Sequence, residues 1–170
     1  MEFLNKNLLK KIAKIEKVEY KFLEKQINNG KAVILLNKKN SGKRYVAIGE
    51  GLKVKINTNI GTSTEHLQIQ DEIKKLETAI KYGTDTIMDL STAGDLSKIR
   101  KEIIKASTVP VGTVPIYEVA VIAEKKYGDF AKIRFDDIWD ILKTQAEDGV
   151  DFFTIHAGII KKSIKILAEN

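Results

Sequence analysis

A few side chains able to do chemistry stand at the ends of apolar runs. Asn57-Thr58-Asn59 closes LKVKINTNI (52–60), Met88-Asp89 sits near the end of DTIMDLS (85–91), Thr113 to Tyr117 spans the end of VPVGTVPI and the residue after it, and His156 lies in FFTIHAG (152–158). On an extended strand, alternation puts Asn57 and Asn59 on one face and Thr58 on the other. Two amides on one face of a buried strand need partners, since an unpaired buried amide costs on the order of 1–3 kcal/mol. They either satisfy loop backbone or hold a polar ligand. A carboxylate such as Asp89 must be paired, hydrogen-bonded or exposed, and Ser91, Thr92 and Gly94 offer local partners through an Asx-type turn. Met88 reads as core filler on composition alone. Tyr117 can present its phenol to a ligand or rest half-buried with its hydroxyl in water. His156 can donate to a ligand oxygen or move a proton near neutrality, although a lone histidine is more often a structural hydrogen-bonding residue. Two histidines, no cysteine and no H-E-x-x-H pattern give no metal site within the chain.

The elements that position these residues follow from periodicity. Leu8, Ile12, Ile15, Phe22 and Ile27 recur near helical spacing, predicting one helix over about 5–28 with a stop at Asn28-Asn29-Gly30. Strands are expected at Ala32–Leu36 and Tyr45–Ile48, so residues 1–50 read as a small α+β segment. From Gly51 the pattern becomes strand, helix, strand, helix. Strands are expected over 52–60, 85–91, 109–116 and 152–158, with helices over 65–82, 96–107, 118–126, 136–147 and 160–168 and a lengthened loop at 129–134. Four βα units in succession demand a parallel sheet. A doubly wound nucleotide fold would need a glycine-rich first turn, and Asn59-Ile60-Gly61-Thr62-Ser63 matches neither the dinucleotide nor the P-loop pattern. Polar or unusual residues at every strand end instead suit a (β/α)8 barrel, whose sites lie at the carboxyl ends of its strands. The expected fold is α/β: an α+β segment (1–50), then a partial barrel of four βα units (51–170).

Composition narrows the function. Over 170 residues, 43% are apolar and 31% charged, as in a soluble globular domain. No apolar run reaches the roughly 20 residues that span a membrane. MEFLNKNLLKKIAKIEK has no continuous apolar core or cleavage site, so no secretory signal is read and a cytoplasmic location is expected. Residues 1–50 hold 12 Lys/Arg against 5 Asp/Glu, a balance of +7, and the remainder hold 17 against 18. The lysines alternate with apolar positions as on the wet face of a helix, with no nucleic-acid motif beside them, so no nucleic-acid partner is expected.

The segments VKINTNIGTS, YGTDTIMDLSTAGD, STVPVGTVPIYEVA and AEDGVDFFTIHAGI are similar, in order and spacing, to successive segments of the phosphomethylpyrimidine synthase family, and INNGKAVILLNK extends the likeness upstream more weakly. That resemblance implies thiamine biosynthesis by a radical carbon–carbon lyase using S-adenosylmethionine, a [4Fe–4S] cluster and zinc. The reaction it implies converts aminoimidazole ribotide into hydroxymethylpyrimidine phosphate with release of formate and carbon monoxide, in a cytoplasmic homodimer. Four of the family's substrate-binding positions fall on Asn59, Met88, Tyr117 and His156, the first three at intervals of 29 residues. All four are strand-end positions already singled out by residue type. The family's Ser-Arg-Gly and Asp-Gly-Leu-Arg segments, its zinc-binding histidines and its three-cysteine motif are expected beyond Asn170. The chain is therefore expected to be the amino-terminal portion of the enzyme, carrying part of the substrate site, holding no cofactor and showing no activity alone. An alternative is a short non-catalytic homologue that binds a phosphoribosyl ligand, and a third is an interaction module built on the basic segment.

Overall fold

A computed structural model describes residues 5–40 and 42–158. The chain opens with two helices, α1 (Lys6–Glu16) and α2 (Tyr20–Asn28). The single helix expected over 5–28 is broken at Lys17, which adopts a left-handed backbone with φ of 59°. There the Val18 amide reaches back to the Ala13 carbonyl at 3.0 Å, a helix-ending hydrogen bond that closes α1. The Asn5 side chain caps the other end by accepting from the Leu8 amide at 2.9 Å. Folding the two helices against each other lets Ile12, Ala13 and Leu23 share one buried cluster with Ala47. Ala47 lies in β2 (Val46–Gly49), which pairs antiparallel with β1 (Ala32–Leu35).

The second sheet has four parallel strands in chain order: β3 (Asn57–Ile60), β4 (Thr86–Asp89), β5 (Val111–Thr113) and β6 (Phe152–Phe153). Consecutive order lacks the reversal that defines a doubly wound sheet. The crossovers are α3 (Ile69–Lys81), α4 (Leu96–Ala106), and the pair α5 (Pro115–Tyr127) and α6 (Phe135–Asp148). One face of the sheet packs on the crossover helices, where Ile60, Leu76, Ile87, Ile99, Ile103 and Val111 form the core. The chain is thus α/β, with a small antiparallel sheet leading a parallel one.

All four parallel strands are shorter than periodicity suggests, because strand pattern without a neighbour makes no ladder. Residues 53–56 lie outside β3, and there Lys55 pairs with the buried Glu16 at 2.8 Å while the Ile56 amide is held by Asp85 at 2.9 Å. β5 stops at Thr113 because Pro115 starts a helix at its first position, where the missing N–H is no loss. FFTIHAG pairs only through Phe152 and Phe153, and the Thr154 amide makes the last bond to the Thr113 carbonyl at 2.9 Å. His156 lies past the strand rather than in it. The helix expected from residue 65 begins at Ile69, since Ser63 and His66 pair with each other in a turn. The loop at 129–134 contains a short 3₁₀ turn, Phe130–Lys132. The expected helix over 160–168 lies outside the described residues.

Polar ties fasten the leading segment to the amino-terminal edge of the parallel sheet. Asp151, just before β6, accepts from the amides of Asn37 and Val111, both at 2.9 Å, and pairs with Lys43 at 3.3 Å. Arg44 bonds the Thr84 carbonyl at 2.8 Å and Asp85 at 2.7 Å. Among the described residues no helix is long and apolar enough to cross a membrane.

Candidate functional site

The face of the parallel sheet away from the helices carries Asn57, Asn59, Met88, Gly112 and Phe152 in adjacent register. Asn59 stands directly across from Met88, and Met88 across from Gly112. Asn57 donates to the Asn59 side-chain oxygen at 2.9 Å and accepts from Thr86 at 2.9 Å, so the two amides share one face and orient each other. Both are exposed, unlike the buried amides a fully covered strand would hold. Met88 is buried, with the Thr154 hydroxyl 3.9 Å from its sulfur. Gly112 allows the neighbouring strand's Phe152 ring to lie over it, for a Cβ at this position would sit 2.4 Å from two ring atoms. A glycine inside a strand signals such a close approach, and it is the one feature of the sequence that points to this contact.

Tyr117 and His156 rise from two different segments at the carboxyl edge. Tyr117 is in the first turn of α5 and His156 follows β6, and their ring centroids lie 6.2 Å apart with planes inclined by 34°. The four positions singled out in the sequence thus fall as two neighbouring pairs, Asn59 with Met88 on the sheet and Tyr117 with His156 at its rim. Their chemistry is that of a binding surface: an amide able to donate and accept, a soft thioether floor, a phenol and an imidazole.

Behind this edge, a buried polar network sets where α5 begins. Arg100, 2% exposed, donates to Glu118 at 2.7 Å and to Asp148 at 2.7 and 3.1 Å. Gln145 donates to the same Glu118 oxygen at 2.6 Å and accepts from the Thr113 hydroxyl at 2.6 Å. Glu118 adjoins Tyr117, so the phenol hangs from a helix turn tied to β5, α4 and α6 together. Asp89 points into the same region and accepts from the Ser91 amide at 3.0 Å and the Ser91 hydroxyl at 2.6 Å, the local pairing its sequence context offers. Burial pushes the Asp89 carboxyl above the ordinary carboxylate range, against the downward pull of those Ser91 bonds.

A family model described as the radical SAM ThiC family matches residues 4–170. The chain belongs to the radical SAM ThiC family. Among curated relatives, it is 46% identical over 159 residues to phosphomethylpyrimidine synthase of Thermodesulfovibrio yellowstonii, covering 94% of this chain and 37% of that protein. The phosphomethylpyrimidine synthases of Pyrococcus furiosus and Methanocaldococcus jannaschii are also 46% identical with the same coverage. The chain therefore spans about 37% of the length of these relatives.

The radical SAM family uses S-adenosylmethionine with an iron–sulfur cluster, and the residues of this chain do not fit that cluster. A cluster is held by cysteine thiolates, and the 170 residues contain none. Among the described residues no group of three histidine, cysteine, aspartate or glutamate side chains could hold a metal ion.

Proposed function

We propose that these residues form part of the aminoimidazole ribotide site of a phosphomethylpyrimidine synthase, acting in the cytoplasm in thiamine pyrimidine synthesis. The observation that carries this reading is the convergence of Asn59, Met88, Tyr117 and His156 on one edge of the sheet, at positions matching the substrate-binding positions implied by the resemblance. In this reading Asn59 and His156 bond polar edges of the imidazole and ribose, Tyr117 closes the rim, and Met88 floors the site. The sheet is the first half of a (β/α)8 barrel, and residues 1–50 are a separate segment docked beneath it.

The chemistry of the S-adenosylmethionine radical and of zinc belongs to residues other than these. The 170 residues alone bind ligand without turning it over. Three neutral hydrogen bonds of roughly 0.5–1.5 kcal/mol each, with no arginine on the phosphate, support affinity of about millimolar order. Calorimetric titration of aminoimidazole ribotide into the chain, and into His156→Ala and Asn59→Ala, tests the site. Each variant is expected to weaken binding by about 2- to 12-fold. Unchanged affinity in both would remove these residues from the site.

A further inference from the structure

The two amides of β3 belong to a line of hydrogen bonds that begins on the neighbouring strand. Thr86 stands across from Asn57 in the register of β3 and β4. On the opposite face of β3 the Thr58 hydroxyl donates to the Thr84 hydroxyl at 2.8 Å, which helps to hold that register. The Thr86 hydroxyl donates to the Asn57 side-chain oxygen at 2.9 Å, and the Asn57 nitrogen donates onward to the Asn59 oxygen at 2.9 Å. The line ends at the Asn59 nitrogen, which has no hydrogen-bond partner among the described residues.

Its direction is decided at the buried end. An asparagine amide can turn either its oxygen or its nitrogen toward a neighbour, and the neighbours decide which. Thr86 is 3% exposed, and its one hydroxyl proton finds its acceptor in Asn57. Turning both amides over would aim the Asn57 nitrogen at that hydroxyl. The buried proton would then have no acceptor among the described residues, and an unpaired buried donor costs more than a typical hydrogen bond contributes. Nothing opposes this choice at the other end, because Asn59 is exposed and water serves its oxygen and its nitrogen alike. The buried hydroxyl therefore sets the exposed amide two side chains away.

We propose that Thr86 and Asn57 are positioning residues that hold the Asn59 amide with its nitrogen toward the ligand, so that this corner of the site selects a hydrogen-bond acceptor. The proposal rests on the ribotide reading above and adds a polarity to it. An aminoimidazole ribotide offers both kinds of atom on its ring, an unprotonated nitrogen that accepts and an exocyclic amine that donates. Asn59 then meets the ring nitrogen or a ribose oxygen, and the exocyclic amine lies elsewhere. An Asn59 free to turn over would accept either edge and discriminate between them poorly.

Side-chain amide NMR of the 170-residue chain labelled with ¹⁵N-asparagine tests this, with the Asn57 and Asn59 signals assigned from Asn57→Ala and Asn59→Ala. Without ligand, the Asn57 amide is expected to exchange its protons with water about fivefold more slowly than the Asn59 amide, because only the former is engaged as a donor. Thr86→Val, which keeps the side chain's shape and removes the hydroxyl, should erase that contrast, and Thr86→Ser should retain it. Thr86→Val and Asn57→Ala should each weaken binding of aminoimidazole ribotide by about 2- to 12-fold, while Thr86→Ser leaves it within about twofold. An Asn59 amide as slow as or slower than Asn57 in the unliganded wild type would overturn the proposal whatever the variants do. So would a contrast that survives Thr86→Val or disappears in Thr86→Ser. The expected contrast together with an Asn59 signal unmoved by saturating ribotide would uphold the amide order and overturn the ribotide reading instead.

Discussion

Tyr117 and His156 come within 6.2 Å, centroid to centroid, although 38 residues separate them and neither lies in a strand. The pairing depends on β5 and β6 being neighbours and both ending early. β5 ends where Pro115 begins α5, which swings Tyr117 over the edge, and β6 ends at Phe153, which frees His156 to meet it. The sheet brings the two segments side by side, and the residues between each strand end and its ring set the final separation.

That ladder has a point of close contact at Gly112. Substituting Gly112→Ala drives a methyl into the Phe152 ring, and overpacking of this kind costs about 1–3 kcal/mol. Urea denaturation should show that loss in Gly112→Ala and recover much of it in Gly112→Ala/Phe152→Leu. A fully stable single variant would mean that the ring moves aside freely.

Much of this arrangement is legible in the sequence. Alternation places Asn57 and Asn59 on one face, as their mutual hydrogen bond shows, and the βα rhythm yields four parallel strands in order. Periodicity merges α1 and α2 into one helix because Lys17 carries no glycine to advertise its left-handed turn. It overextends the strands at 53–56 and 154–158 because propensity reports on a residue and pairing on its neighbours. The Arg100, Glu118, Gln145 and Asp148 network leaves no trace, since its hydrogen-bonded partners lie 18 to 48 residues apart on helices whose charged positions otherwise read as solvated.

The network should dominate the ion-pair contribution to stability. Arg100 is 3% exposed in its side chain and bridges two carboxylates, so Arg100→Ala strands both and is expected to cost about 3–5 kcal/mol. Lys31 and Glu50 form an open surface pair, and Lys31→Ala should cost less than about 1 kcal/mol. Chemical denaturation of the two variants side by side checks the contrast. Equal losses would contradict the assignment of the network to the interior.

Asp89 gives a pH signature. Its folded pKa is raised by burial, so the folded chain holds that proton more tightly than the unfolded chain does. The stabilising contribution is complete below the unfolded pKa, near 3.9, and is lost as pH rises through the folded value. Asp89→Asn keeps an acceptor for Ser91 but cannot ionise, so its stability relative to wild type should grow as pH rises above about 4 and then level off. Urea midpoints of both proteins from pH 4 to 8 measure this. A difference that stays flat would contradict a raised carboxyl.

Met88 offers the most direct view of the proposed site, because the chain has two methionines and the other is Met1. With methyl-¹³C methionine incorporated, a methyl spectrum contains two signals, one from the floor of the candidate site and one from the chain terminus. Titration with aminoimidazole ribotide should move the Met88 signal saturably while leaving Met1 in place, and Tyr117→Phe/His156→Ala should abolish the shift without changing the unliganded spectrum's dispersion. A Met88 signal that stays fixed at saturating ribotide, or that moves equally in the double variant, would contradict the assignment of this sheet edge as the ribotide site.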